Sequence, residues 1–114
     1  MPKVFGIHEV ELPQGVTPEE FERFGQQLAS VPGFPGWKSY LLKGDRGDRA
    51  GKYLIMFEVE SVQARDRYFP SPEEESDEAR QFDEQHPDAA ALWEKYAEML
   101  TGPHSWTDYA EISE

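Results

Sequence analysis

His8 is the side chain in this 114-residue chain best placed to do chemistry. It lies in the run Lys3-Val4-Phe5-Gly6-Ile7-His8-Glu9-Val10-Glu11-Leu12, where two-residue alternation sets Val4, Gly6, His8, Val10 and Leu12 on one face. A histidine on an apolar face can take a proton from a substrate, because small shifts bring its pKa near neutrality. It can also ligate haem iron, or be a core histidine satisfied by one hydrogen bond. Towards the other end of the chain, His104, Trp106 and Asp108 alternate in the same way and share a face. If the two runs are neighbouring strands, His8 approaches His104 or Asp108 across the pair, and an aspartate orienting a histidine is half of a catalytic arrangement. No serine, threonine or cysteine stands out as a nucleophile. His8 and Asp108 are therefore the catalytic candidates. Tyr40, Trp106 and His104 are the substrate-binding candidates, since tyrosine hydroxyls and indoles suit a flat, oxygenated organic ligand.

Other motifs carry less. The three histidines show no His-x-His or His-x-x-x-His spacing, and His86 falls in an acidic stretch, so no metal site is expected. Arg46-Gly47-Asp48 spells an adhesion tripeptide but sits in a glycine-rich turn, and no phosphate-loop pattern follows any strand. Glu73-Glu74-Glu75-Ser76-Asp77-Glu78 lacks the alternating ligand spacing of a calcium loop and reads as solvated surface.

Composition bounds the possibilities further. The length fits one domain with a single core. There is no cysteine, which excludes disulfides, thiolate metal sites and cysteine nucleophiles. A formal net charge of −12 repels nucleic acid and anionic membrane surfaces. Met1-Pro2-Lys3 leads straight into a strand rather than an apolar leader, and no apolar run approaches the ~20 residues that span a bilayer, so the expected compartment is the cytoplasm.

The elements that position the candidates can be read in order. After the first strand, Thr17-Pro18-Glu19-Glu20 has the features of a helix start: a capping hydroxyl, proline in the first turn and a glutamate three residues after the cap. That helix turns Phe21, Phe24, Leu28 and Val31 inward, and Pro32-Gly33 stops it. A second strand is expected at 37–43, a charged tip at 44–51, and a third strand at 53–59. The third is so continuously apolar that it suits a position covered on both faces. Ser61 caps a short helix over 62–69 that turns Val62, Arg65 and Phe69 inward or along the sheet. Ala79 and Phe82 anchor an extra helix in the acidic stretch. Pro87-Asp88 opens the last helix, whose apolar stripe is Ala89, Leu92, Trp93, Tyr96, Met99 and Leu100; Gly102-Pro103 ends it. A final strand is expected at 104–112.

The order β-α-β-β-α-β, with an acidic helical insertion before the last helix, predicts an α+β domain over 1–114: a ferredoxin-like antiparallel sheet with strands one and three in the middle. Helices then cover one face. The other keeps an apolar patch that a soluble monomer rarely tolerates, so a homodimer is expected.

Several joints resemble those of the dimeric α/β-barrel superfamily. They are Leu12-Pro13-Gln14-Gly15-Val16 leading into Glu20-Phe21, Val31-Pro32-Gly33-Phe34 before an aromatic strand, and Phe57-Glu58-Val59-Glu60-Ser61-Val62 followed by Ala64 and Tyr68-Phe69. The superfamily includes antibiotic-biosynthesis-type monooxygenases, stress-responsive A/B-barrel proteins, EthD-like proteins and haem-degrading relatives. The resemblance implies cofactor-independent oxygenation of a small aromatic or polyketide-like compound, in a cavity between the sheet and its dimer mate, with His8 as base and Tyr40, Trp106 and Asp108 positioning the substrate. The alternatives are a non-catalytic dimer that binds a small ligand or serves as a stable module, and a haem-binding protein.

Overall fold

The computed structural model describes residues 2–100 and 104–112. Its elements run β1 (Val4–Val10), α1 (Pro18–Ser30), β2 (Trp37–Lys43), β3 (Tyr53–Val59), α2 (Val62–Tyr68), α3 (Asp77–Gln85), α4 (Pro87–Met99) and β4 (Ser105–Ala110). The four strands form one antiparallel sheet in the order β2-β3-β1-β4, so strands one and three are central, as the element order implied. The architecture is α+β and compatible with a ferredoxin-like arrangement.

Local chemistry accounts for the helix starts. Thr17 Oγ1 accepts from the Glu20 backbone N–H at 3.1 Å and donates to the Glu20 carboxylate at 3.2 Å, which satisfies one of the orphan donors of the first turn. Ser61 and Ser76 accept in the same way from Ala64 and Ala79. Ala79, which the acidic stretch offered as an anchor, is fully buried, and Phe82 packs edge-on to Phe34 at 5.0 Å.

Alternation divides each strand between two environments. Val4, Gly6, His8 and Val10 of β1 are buried, and Tyr53, Ile55 and Val59 are buried on β3. On this face α1 lays Phe21, Phe24 and Leu28 against Val10, Tyr53 and Ile55, with Tyr96 of α4 completing the core. The opposite face carries Phe5, Ile7, Leu54 and Met56, only half-buried, with Leu42 and Tyr109 exposed at its margins.

Four expectations change. Val62 points outward and Tyr68 takes the buried position, because the helix is only two turns long and its C-terminal end lies nearest Phe34, on which Tyr68 stacks at 4.4 Å. Val31 is half-buried and extended, serving as the C-cap of α1 rather than a core residue. Trp93 is partly rather than fully buried, one side of it facing a cavity. The last strand is shorter than 104–112: His104 precedes it, and Ile112 lies beyond it at 98 % exposure. The Gly102-Pro103 stop lies outside the described residues.

Candidate active site

The residues around His8 converge because β1 and β4 pair with His8 opposite Trp106 and Gly6 opposite Asp108. Directly opposite side chains share a face. His8 is only 5 % exposed. Its Nδ1 lies 2.9 Å from the Tyr96 hydroxyl, delivered by α4, and its Nε2 lies 3.1 Å from His104 Nδ1, just ahead of β4. The Trp106 ring packs beside the imidazole at a centroid distance of 5.0 Å.

Burial, with a smaller push from the neighbouring His104, lowers the His8 pKa to about 4, so the imidazole is neutral at pH 7. Burial raises the Tyr96 pKa and keeps its hydroxyl protonated. Among the described residues no buried side-chain polar atom lacks a hydrogen-bond partner. His8 is therefore fully satisfied within the protein.

Beside this chain of groups is a cavity of about 610 Å³, within the range of small-molecule sites. Its floor is the helix-bearing face of the sheet, including Gly6, His8 and Phe57; its walls come from α2, α3, α4 and the loops before β2 and α3. Aromatic rings dominate: Phe34, Trp37, Phe57, Phe69, Phe82, Trp93 and Trp106 all contribute. Gly6 makes room for this arrangement. A Cβ there would come within 3.0 Å of the Asp108 carboxylate and 3.5 Å of the Trp106 ring, which lies folded over the glycine and stacks on Phe57. The acidic stretch forms part of the wall through Pro72, Glu75 and Asp83. Burial and the adjacent Asp83 raise the Glu75 pKa.

The cavity lies between the sheet and the chain's own helices, not on the side where a second sheet would pack. This corrects the expected location. The even-numbered residues of β1 that include His8 are the ones the helices cover, so the chamber at His8 is enclosed by one chain.

Of the sequence candidates, the structure brings together His8, His104, Trp106 and Asp108. Asp108 does not pair with His8. Two residues along the strand from the position opposite His8, its carboxylate accepts from Trp106 Nε1 at 2.8 Å and from Arg65 at 3.3 Å, so it holds the indole in place instead of orienting the imidazole. Tyr40 does not join the group. Its neighbours Ser39 and Trp37 line the cavity, and alternation turns Tyr40 to the opposite face, where its hydroxyl donates to Glu58 at 3.1 Å.

Sequence reasoning assigned Tyr96 to the core and gave it no partner. A buried tyrosine normally finds one for its hydroxyl, which was the available signal; only the pairing of α4 with β1 reveals that the partner is His8. Arg65 was expected to lie along the sheet, but its reach to Asp108 follows from a contact across 43 residues.

Haem iron needs an axial nitrogen with a lone pair open to the cavity. Both ring nitrogens of His8 are engaged, so these residues do not fit haem with His8 as ligand. Among the described residues no three histidine or carboxylate side chains converge to hold a metal ion, and no helix is long and apolar enough to cross a membrane. Compared with protein-family models, curated proteins and solved structures, the chain matches none.

Proposed function

We propose that this protein is a homodimer of the dimeric α/β-barrel type whose protomers each act on a small aromatic or polyketide-like compound, in the manner of a cofactor-independent monooxygenase. The observation that carries this reading is a buried, neutral histidine at the floor of a ring-lined chamber. A planar compound is gripped by the aromatic walls, and His8 serves as the base that draws off its acidic proton through the Tyr96 hydroxyl bonded to Nδ1. The low basicity of His8 is no obstacle, because a ligand anion formed nearby favours its protonated form as the proton transfers. The resulting carbanion or phenolate is the species that reacts with oxygen. For an anthrone-type substrate, a ring CH2 and O2 give a ring carbonyl and water, with O2 as the only oxidant.

The test is oxygen uptake with a panel of anthrones and quinols, wild type against His8→Gln. Uptake that depends on His8 supports the proposal; uptake equal in both proteins, or none with any compound, defeats it. A second reading, a non-catalytic ligand-binding dimer, is favoured by the complete hydrogen bonding of His8 within the protein. It predicts saturable binding of the same compounds, unchanged by His8→Gln, with no consumption of oxygen.

The homodimer rests on the uncovered sheet face. Phe5, Ile7, Leu54 and Met56 form an apolar centre, and the Lys3–Glu58 ion pair lies on the same side at 2.8 Å. A two-fold axis through this patch buries it against its own copy. Sedimentation at micromolar concentration is expected to give twice the 13.1 kDa protomer mass, and Met56→Glu to give the single mass. A wild-type protein that sediments as one 13.1 kDa species removes the dimer.

A further inference from the structure

We propose that Tyr96, His8 and His104 form a directional proton relay that carries a ligand's proton from the chamber to solvent. The inference rests on the enzymatic reading above and assigns the residue that meets the ligand, the path of the proton and its exit.

The direction follows from donors and acceptors. Tyr96 lines the chamber, and its hydroxyl has His8 Nδ1 as its only hydrogen-bond partner among the described residues. A neutral phenol hydroxyl in that position donates, so His8 Nδ1 accepts. The single imidazole proton is then on Nε2, which donates to His104 Nδ1 across 3.1 Å. His104 accepts at Nδ1 and therefore carries its own proton on Nε2. His104 is exposed, whereas His8 is 5 % exposed. Every proton in the line consequently points from the chamber towards water, and the lone pairs of the Tyr96 oxygen are left to accept from a ligand.

Proton transfer runs along this line without a change in electron count. The acidic hydrogen of the ligand passes to the Tyr96 oxygen, and the Tyr96 hydroxyl proton passes to His8 Nδ1. The Nε2 proton of His8 passes to His104 Nδ1, and the Nε2 proton of His104 passes to water. One proton leaves the ligand and one reaches solvent. Burial disfavours both a Tyr96 phenolate and a standing His8 imidazolium, so neither accumulates and the shifts are coupled. Tyr96 is thus the catalytic residue that touches the ligand, while His8 and His104 act through it. Afterwards both histidines carry the opposite tautomer, and ring or hydroxyl rotation resets the line before the next turnover.

Two measurements test the relay separately from the proposed function. Long-range proton–nitrogen NMR of the imidazoles in the free protein reads the tautomers directly. His8 protonated on Nε2, with Nδ1 bare, is expected, and Tyr96→Phe is expected to release that preference; His8 protonated on Nδ1 overturns the relay. With any substrate that supports oxygen uptake, Tyr96→Phe is expected to lower kcat about 100-fold and His104→Ala about tenfold, within or just below the range for lost proton-transfer groups. Imidazole added to the buffer restores the His104→Ala rate but not the Tyr96→Phe rate. A His104→Ala enzyme as fast as wild type removes the exit step and the relay with it. The correct tautomer without turnover of any compound defeats the enzymatic reading; turnover with the wrong tautomer defeats only the relay.

Discussion

The two halves of the helix-bearing face of the sheet are built from the same strands, yet one is solid and the other hollow. Under α1, Phe21, Phe24 and Leu28 interlock with Val10, Tyr53 and Ile55. The fit is so close that a Cβ added at Gly25 would come within 2.9 Å of three Leu41 side-chain carbons. Under α2, α3 and α4 the same strands present Gly6, Ser39 and Phe57, the helices contribute Ala89 and Ala90, and a chamber of about 610 Å³ remains. Val10 belongs to the solid half and His8, two residues earlier, to the hollow one. Stability and ligand space are thus divided along single strands, position by position. Close packing supplies the first, and a glycine with small neighbours leaves room for the second.

The largest effect expected from this contrast comes from truncating one aromatic in each half. Phe21→Ala is expected to lower unfolding free energy by about 3–5 kcal/mol in urea titration, because the surrounding core cannot collapse into the void. Trp93→Ala, already open on one side, is expected to lose under about 2 kcal/mol while weakening ligand binding. Equal losses would erase the distinction.

Next is the pH response of the hollow half. His8 has a folded pKa of about 4 against an ordinary value of 6.5. Between these values the unfolded chain binds more protons than the folded one, so stability is complete above about pH 6.5 and falls as the pH drops towards 4. The loss attributable to His8 is at most about 3 kcal/mol. It is read as the difference in pH dependence between wild type and His8→Gln; parallel curves would show that His8 is not held neutral by the fold.

The paired glycines sharpen the contrast at a smaller scale. Gly25→Ala gains helix preference but must displace Leu41, for a net loss of about 1–2 kcal/mol. Gly6→Ala meets the Asp108 carboxylate at 3.0 Å and the Trp106 ring at 3.5 Å, so these side chains must give by a few tenths of an ångström; its stability is expected to fall by about 1 kcal/mol or less while the chamber narrows. Thermal melts of the two variants with and without a bound ring compound separate these outcomes. The smallest effect belongs to Tyr40→Phe. Being on the opposite face, it is expected to leave ligand affinity within error of wild type, and a substantial loss of affinity would mean that the face assignment is wrong.

Much of the fold was legible before any coordinates. Thr17 and Ser61 mark helix starts by accepting from first-turn N–H groups, Pro87 marks one by its fixed φ at the first position, and the β2 and β3 boundaries coincide with the apolar runs that announce them. Where local signals were weak the reading slipped. Val62 and Tyr68 are both apolar residues of a two-turn helix, and nothing in their spacing says which meets Phe34. For the site, the alternation of His104, Trp106 and Asp108 brought the right groups near His8, since strand pairing follows from element order. The partner of each group did not follow. Two residues of register decide that Asp108 stands opposite Gly6 rather than His8, where it meets Trp106 and Arg65.

The kinds of element, their order, the face on which His8 lies and the apolar character of its surroundings can all be read from the chain alone. These depend on periodicity and on interactions spanning a few residues. Only the tertiary structure decided that the chamber lies beneath the chain's own helices, that Tyr40 is turned away from it, and that Tyr96 meets His8 from a helix 88 residues along the chain. Such contacts arise from how helices settle on a twisted sheet, where a shift of one turn or one strand position exchanges every partner, and no local preference records which packing is lowest in free energy.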